Sequence, residues 1–326
     1  MKNSVLLLMV SGFLSLTLAG CGKNEDSVQD FKIEGLTFDN FPRMDGSTST
    51  QPLKMLIACK LLGVRYDWTL APTISGLVGE RWLAPHREDI PATHADFFDG
   101  HVKVSQTHGA FINLIDGGAD LIMTHRTLSP DEKAYADEKG ITLTETPIAL
   151  DAFVFVVNKN NPVKSLTVGQ VRDIYRGTIT NWQQVGGNDE AVRAFVRPRN
   201  SGSQEVMESL VMQGAEIDES FETSAIASMA GVFPEITHFT NSLCYTFDYY
   251  KEIMMQVPHE NVPKIAVNNI FPNAETVADR TYPFVAEVHV AIRSDLDKNS
   301  MAYKLYKLLQ TENGKNIIAE SGYIPN

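Results

Sequence analysis

From residue 35 to the end of the chain, short apolar runs alternate with segments whose apolar positions recur at helical spacing. This alternation of strand and helix patterns predicts an α/β fold. The apolar runs predict strands at 102–104, 119–123, 152–157, 264–267 and 285–293. The helical spacing predicts helices at 52–62, 109–116, 130–139, 168–175, 204–212 and 301–309. Two of these helices begin with a capping box, Ser129 with Glu132 and Thr167 with Gln170, which indicates where each helix starts.

The first apolar stretch has a different character. A basic start precedes an apolar run over 5–18, and the sequence Leu-Ala-Gly then leads to Cys21. Such a segment is typical of an export signal, and it is shorter than most membrane-spanning helices. Its end resembles the bacterial lipobox, so we expect 1–20 to be a lipoprotein signal peptide and Cys21 to be lipidated; a plain signal peptide is the alternative. The polar stretch 21–35 is predicted to be a tether between the lipid and the folded body. We therefore expect lipid anchoring at the extracytoplasmic face of the cell membrane, in a periplasm or at a cell surface.

Length and charge narrow the choice of function. At 326 residues the chain is long enough for two compact lobes. It carries 28 Lys and Arg against 40 Asp and Glu, a net charge of −12, so no nucleic-acid partner is expected. Acidity does not exclude a small anion as ligand, because one pocket can be positive locally. Cys59 and Cys244 are far apart in sequence, and two buried free thiols are favoured over a disulfide.

Three predicted helix starts are rich in Ser, Thr and Gly, at 45–52, 105–110 and 197–204. A helix N-terminus exposes unpaired N–H groups and a partial positive charge, which suit it to anion binding. Hydroxyl groups add donors, Gly lets the backbone approach closely, and Arg197 offers a two-pronged donor for an oxyanion. Each start alone looks like an ordinary N-cap. Together they indicate an anion site, provided that the fold brings them together.

Other chemistries have little support. The chain has no glycine-rich nucleotide-binding pattern and no Gly-x-Ser-x-Gly elbow. His94, His101 and His108 are evenly spaced, but the strand pattern between them keeps them off a common helix face, so no metal site is expected. We expect no cofactor either. Trp82 and Tyr250 are assigned to packing.

Several stretches together resemble the phosphate-binding component of bacterial phosphate ABC transporters. The most characteristic are Ile-Tyr-x-Gly at 174–177 and Thr-Asn-Trp at 180–182. The matching stretches are 45–49, 107–117, 151–158, 166–182 and 197–203. The resemblance covers nearly the whole chain from residue 35, and the combination is much more specific than any single loop.

The resemblance implies a periplasmic-binding-protein-like fold of type II, with two α/β lobes, a ligand cleft between them and two hinge crossings. The crossings are expected near 150–152 and 282–285. Lobe one would comprise 36–150 plus 284–326, and lobe two 151–283. The family implies capture of inorganic phosphate without catalysis, closure of the lobes on it, and delivery to ABC permease subunits. We expect the receptor to be a monomer.

The family's phosphate ligands fall on residues already selected from the helix starts. They are Thr48, Ser49, Thr107, Arg197, Ser201, Gly202 and Ser203. One further position departs from the family, which commonly has an Asp acceptor for the ligand's proton where this chain has His125. A neutral His125 can accept that hydrogen bond, whereas a protonated His125 or an inward-turned Arg126 would donate and erode discrimination against sulfate. The alternative acceptors are Asp45, Asp120 and Asp151.

Three other functions stay open. The same fold can bind another oxyanion or a small organic phosphate. A secreted hydrolase of phosphate esters that uses Ser and His residues is the second, and it would lose turnover in Ser201→Ala. An adhesion or sensory lipoprotein with a protein partner is the third, and mutation of Arg197 would leave its function untouched.

Overall fold

The computed structural model describes residues 31–70 and 79–326, which belong to one compact unit that begins at Phe31. The predicted signal peptide, Cys21 and the first part of the predicted tether lie outside the described residues. The last part of that tether packs on the folded body, because Phe31 and Ile33 are partly buried against the core. Within the described ranges, no helix combines the length and the apolar character needed to cross a membrane.

The described residues form strands and helices in mixed order. The strands are β1 Met44–Gly46, β2 Tyr66–Leu70, β3 Arg81–Pro85, β4 Leu121–Thr124, β5 Leu143–Val157, β6 Ser165–Leu166, β7 Arg193–Ala194, β8 Ser242–Phe247, β9 Ala266–Val267, β10 Val285–Arg293 and β11 Ile324–Pro325. The α-helices are α1 Gln51–Leu62, α2 Phe97–His101, α3 Gln106–Ile115, α4 Pro130–Lys139, α5 Val168–Tyr175, α6 Gly202–Val206, α7 Val232–His238, α8 Ala274–Ala278, α9 Met301–Leu308 and α10 Glu312–Glu320. A 3-10 turn, Thr48–Thr50, leads into α1, and a π-helical stretch, Met207–Met212, continues α6.

Seven strands form one mixed sheet in the order β1-β4-β10-β5-β8-β7, with β11 paired to β5. β1 and β4 are parallel, whereas the long strands β5 and β10 are antiparallel. The two predicted crossing segments are hydrogen-bonded to each other. Val285 pairs with Ala152, and the Phe153 N–H donates to the Phe284 carbonyl at 2.9 Å. β5 and β10 therefore carry the chain from one half of the sheet to the other.

β5 lies at the centre of the core. Its residues from 148 to 157 are all buried, so the strand is covered on both faces, as a continuous apolar run predicts. Aromatic rings pack beside it: the Phe153 ring lies 5.2 Å from that of Tyr245 and 5.5 Å from that of Phe247, measured between centroids. Because β8 carries Tyr245 and Phe247, this packing fixes the end of β8 close to the functional site.

Most of the predicted elements are confirmed. α4 and α5 have the predicted bounds and capping boxes, and β10 covers the predicted range. The helix predicted at 204–212 is α6 with its π-helical continuation. The strand predicted at 102–104 is wrong, because the stretch follows α2 directly and only Val102 makes a bridge, to Met44. The β2–β3 hairpin, β8, α7 and α10 have no counterpart among the predicted elements.

Candidate functional site

Three chain segments that lead into helices open onto one cavity of about 280 Å³. The first is the loop between β1 and α1, the second is the start of α3, and the third is the loop before α6. Seven of the predicted ligand residues line the cavity: Thr48, Ser49, Thr107, Arg197, Ser201, Gly202 and Ser203. The fold thus brings together the three segments selected from the sequence.

The carboxylate of Asp45 ties the first segment to the second. Its Oδ1 accepts hydrogen bonds from the N–H groups of Gly46 and Ser105 at 2.7 and 2.9 Å, and its Oδ2 accepts one from the side chain of Asn113 at 2.7 Å. Position 46 requires glycine, because a Cβ there would lie 2.2 Å from the Met123 carbonyl oxygen. Asp45 therefore anchors the loops, and it is not one of the lining residues.

The second and third segments each contain a residue in the left-handed region and contact each other. Gln106 at the start of α3 has a φ of 63°, and Asn200 before α6 has a φ of 65°, which costs a non-glycine residue about 1 kcal/mol or more. The turn at Asn200 lets Ser201 cap α6, because the Ser201 hydroxyl accepts a backbone N–H of that helix at 3.2 Å. Gly202 then lies so close to Thr107 that a Cβ would be 2.3 Å from the Thr107 Oγ1.

Arg197 brings a buried positive charge to the cavity. Only 6% of the residue is exposed, and its Nε is buried without a hydrogen-bond partner. Burial lowers the pKa of the guanidinium, and the groups that oppose this effect are Cys244, Tyr245 and Tyr250. Among the described residues, no carboxylate pairs with the positive charge of the Arg197 guanidinium. An arginine nevertheless stays cationic at neutral pH, so the cavity holds a charge that a bound anion would balance.

Other charged candidates are engaged elsewhere. The Arg126 guanidinium donates to both carboxylate oxygens of Glu132, at 2.6 and 2.8 Å, so it is not turned into the cavity. Asp120 accepts two hydrogen bonds from the side chain of Arg43, at 3.1 and 2.6 Å. Neither Arg126 nor Asp120 is a lining residue.

His125 lies behind Ser49 and is not among the lining residues. Its Nδ1 is 3.0 Å from the Ser49 Oγ, and its Nε2 is 3.1 Å from Asp151 Oδ2 and 3.2 Å from the Tyr323 hydroxyl. The Tyr323 hydroxyl donates its one proton to the Ser49 carbonyl at 2.8 Å, so it can only accept from His125, which assigns an imidazole proton to Nε2. In the neutral ring, Nδ1 then accepts from Ser49. His125 thus contacts a residue that lines the cavity, and its predicted contact with the ligand stays a prediction.

Sequence patterns do not single out two lining residues, Glu80 just before β3 and Trp82 within it. Residues two apart on an extended chain share a side, which explains why both reach the cavity. Glu80 Oε1 and Trp82 Nε1 are buried without a hydrogen-bond partner. Tyr250 is another lining residue, and burial, followed by the nearby carboxylate of Glu80, raises the pKa of its hydroxyl. Trp82 and Tyr250 therefore belong to the cavity as well as to the packing predicted for them.

A model of the PBP superfamily domain matches residues 90–303, well over half of the chain. The chain belongs to the PBP superfamily. Two curated relatives are phosphate-binding proteins called PstS. The one from Bacillus subtilis is 23% identical over 99% of this chain and 94% of its own length. The one from Staphylococcus epidermidis strain ATCC 12228 is 26% identical over 78% of this chain and 76% of its own length.

Solved structures of this superfamily have the same fold. An ABC-type phosphate transport receptor from Vibrio cholerae aligns with a TM-score of 0.57 and 24% identity, over 87% of this chain and 99% of that one. A Clostridium perfringens protein with bound phosphate aligns with a TM-score of 0.60 and 21% identity, over 88% of this chain and 100% of that one. At these sequence identities, the structural similarity shows that the fold is shared and nothing more. It confirms the predicted α/β architecture of two lobes with a cleft between them.

Proposed function

We propose that this chain is an extracytoplasmic solute-binding protein that captures inorganic phosphate between its lobes and delivers it to an ABC permease. Arg197 carries the proposal: it is a buried guanidinium without a carboxylate partner, in a cavity bordered by hydroxyl groups and helix starts. A buried guanidinium that no carboxylate pairs with favours an anion as its partner. The relatives' names, phosphate-binding protein and phosphate transport receptor, support phosphate as that anion.

Capture follows from the chemistry of the lining. Arg197 supplies the countercharge and a planar pair of donors that matches two oxygens of a tetrahedral oxyanion. Hydroxyl groups and backbone N–H groups at the helix starts donate to the remaining oxygens, and the exclusion of water strengthens each bond. The proposed ligand residues are Thr48, Ser49, Thr107, Arg197, Ser201, Gly202 and Ser203, with His125 in support of Ser49. No covalent bond changes in this scheme, so we propose a receptor without catalysis or cofactor.

We also propose that the lobes comprise 36–150 plus 284–326 and 151–283, and that they close on the ligand by bending at β5 and β10. The close contact of Gly202 with Thr107 supports closure, because these residues belong to different proposed lobes. Phosphate held by both lobes would stabilise the closed form, and the closed form is what a permease would recognise.

The remaining parts of the proposal concern the N-terminus. Residues 1–20 would be removed as a signal peptide, Cys21 would be lipidated, and a tether would hold a monomeric receptor at the outer face of the membrane. Cys21→Ser should then release the protein from the membrane fraction. If Cys21→Ser leaves the membrane fraction and still binds phosphate as wild type does, the lipid anchor takes no part in the phosphate site.

Isothermal titration with inorganic phosphate tests the proposed site. Wild type should bind phosphate, and Arg197→Ala should bind it at least about a hundredfold more weakly, because the anion loses its charged donor. Arg199→Ala is the matched control, because the Arg199 side chain is 82% exposed and makes only a 3.7 Å ion pair with Asp131. Wild-type affinity in Arg197→Ala would remove the site assignment.

The other functions give different outcomes. If the ligand is another oxyanion or a small organic phosphate, that compound and not inorganic phosphate should raise the Tm in a concentration-dependent way. Turnover of phosphate esters that is lost in Ser201→Ala would identify a hydrolase. A cellular function that Arg197→Ala leaves intact would point to a protein partner.

A further inference from the structure

The β2–β3 hairpin belongs to the first proposed lobe, but the chain just before β3 pairs with the second. The Gln256 N–H donates to the Gly79 carbonyl at 3.0 Å, and Glu80 forms an antiparallel bridge with Met255. This pairing lies far in sequence from both crossing strands. Because backbone groups form it, the pairing exists only while the two lobes lie at one fixed separation.

On the side of lobe one, β3 is bonded firmly to the start of α1. The Gln51 side chain donates from Nε2 to the Leu83 carbonyl at 2.8 Å and accepts from the Leu83 N–H at 3.1 Å. One buried amide thus pairs with both backbone groups of Leu83, as a neighbouring strand would. Gln51 follows directly on the turn that contains Thr48 and Ser49, so β3 moves together with two of the proposed ligand residues.

On the side of lobe two, the connection is easier to break. Met255 and Gln256 follow the π-helical stretch Tyr250–Met254, and the Gln256 N–H supplies the backbone hydrogen bond to the hairpin. Such a bond is weak enough to break and re-form as a structure opens locally. Between the two ends of this connection, Glu80 and Trp82 line the cavity. The connection therefore runs along the anion cavity, with a firm end on lobe one and a breakable end on lobe two.

We propose that residues 79–82 form a strap that fastens the closed lobes beside the bound anion and detaches at Gln256 before the anion leaves. This inference rests on the proposed function and deepens it, because it names the element that controls release. A bond formed only in the closed state stabilises that state alone. The strap also brings a donor to the cavity: Trp82 Nε1 is buried without a hydrogen-bond partner, and an oxygen of the anion would accept from it.

Two substitutions of Gln256 test the strap. Gln256→Pro removes the N–H that bonds to Gly79. The residue before it already has the extended conformation that a following proline requires, because Met255 has a φ of −95° and a ψ of 134°. Gln256→Ala is the matched control, because it shortens the same side chain and keeps the N–H.

The rate of release is measured by chasing bound radiolabelled phosphate with an excess of unlabelled phosphate. Gln256→Pro should release phosphate about fivefold to tenfold faster than Gln256→Ala, which is the effect of one backbone hydrogen bond. A bond that is present whether or not the lobes are closed would instead lower the Tm without ligand and leave the release rate unchanged. That result would overturn the inference.

Amide hydrogen exchange tests the same bond in wild type, so it decides the question even if Gln256→Pro does not fold. Saturating phosphate should slow exchange at the Gln256 N–H about tenfold or more, because the closed lobes keep it bonded. The Phe195 N–H bonds to the Leu243 carbonyl at 2.9 Å within lobe two and should slow much less. Equal slowing at both amides, or none at Gln256, would overturn the strap.

The outcomes separate the strap from the proposed function. Equal release rates of Gln256→Pro and Gln256→Ala, with phosphate binding lost in Arg197→Ala, overturn the strap alone. Wild type that binds no phosphate overturns both. Faster release from Gln256→Pro, together with loss of binding in Arg197→Ala, supports both.

Discussion

Replacement of Gly202 by alanine should open the cavity without unfolding the chain. Gly202 begins α6 in the third segment, and Thr107 lies in the second. A Cβ at position 202 would be 2.3 Å from the Thr107 Oγ1 and 3.2 Å from the Thr107 Cβ, whereas ordinary contact begins at 3.4 Å. Rotation of the threonine side chain would move Oγ1, but the Thr107 Cβ does not move with it, and its contact of 3.2 Å stays too short. The two segments must therefore separate.

The size of the effect follows from these distances. With the Thr107 side chain in its present rotamer, ordinary contact requires the segments to separate by about 1.1 Å, and a hydrogen bond of about 2.9 Å lengthened by that amount is lost. One bond to a charged ligand contributes about 1.5–3 kcal/mol, so phosphate affinity should fall at least about tenfold, and further if two bonds are lost. Alanine is favoured over glycine in helices by up to about 1 kcal/mol, so the Tm without ligand should not fall.

Calorimetry with phosphate and thermal melting without ligand measure these two effects separately. Gly100→Ala is the matched control, because Gly100 lies in α2 and a Cβ there meets nothing within 4 Å. The control should bind phosphate as wild type does. Wild-type affinity in Gly202→Ala would refute the reasoning, because the contact between the two segments would then have no bearing on the bound state.

Two further predictions concern groups away from the cavity. Glu132 is fully buried and bonded to Arg126, so Glu132→Gln should lower the free energy of unfolding in urea by about 3 kcal/mol, whereas Glu138→Gln on the exposed face of the same helix should not. Burial acts to raise the pKa of Glu132, but the bonds from Arg126 outweigh burial and the pKa is lowered. Wild type should therefore lose the stabilisation that Glu132 provides as the pH falls below about 4. Equal free energies of unfolding of Glu132→Gln and Glu138→Gln would contradict the account. Cys59 and Cys244 are buried free thiols, as the sequence favours, and burial raises the pKa of each to about 12. A thiol reagent should label neither until the protein is denatured, and labelling of either in the native protein would contradict their burial.

Much of the fold could be predicted because its signals are local. α4 and α5 begin at capping boxes, and β10 is one continuous segment rich in Val and Ala, so their bounds depend on adjacent residues. β1 could not be predicted, because Met44–Gly46 forms a strand only by pairing with β4 much later in the chain. The strand predicted at 102–104 fails for the same reason: its N–H and carbonyl groups find no continuous partner strand, and only Val102 bridges to Met44.

The residues of the candidate site also fall into two groups, those that a local sequence signal identifies and those that only the fold brings together. Ser, Thr, Gly and Arg at the helix starts are a local signal, which is why the lining residues of all three segments could be selected from the sequence. Glu80 has no such signal, because one acid before a short strand belongs to no motif and only the fold brings it to the cavity. The surroundings of His125 depend on Asp151 and Tyr323, distant in sequence, which hold the ring behind Ser49.

A crystal structure of the protein grown with inorganic phosphate tests the central claim most directly. We predict a tetrahedral anion in the cavity of about 280 Å³, with its oxygens within hydrogen-bond distance of the Arg197 guanidinium and of hydroxyl groups from both proposed lobes. Phosphate bound instead in the larger cavity of about 890 Å³ beside Pro198 and Glu216, or bound with Arg197 turned away from it, would contradict the account.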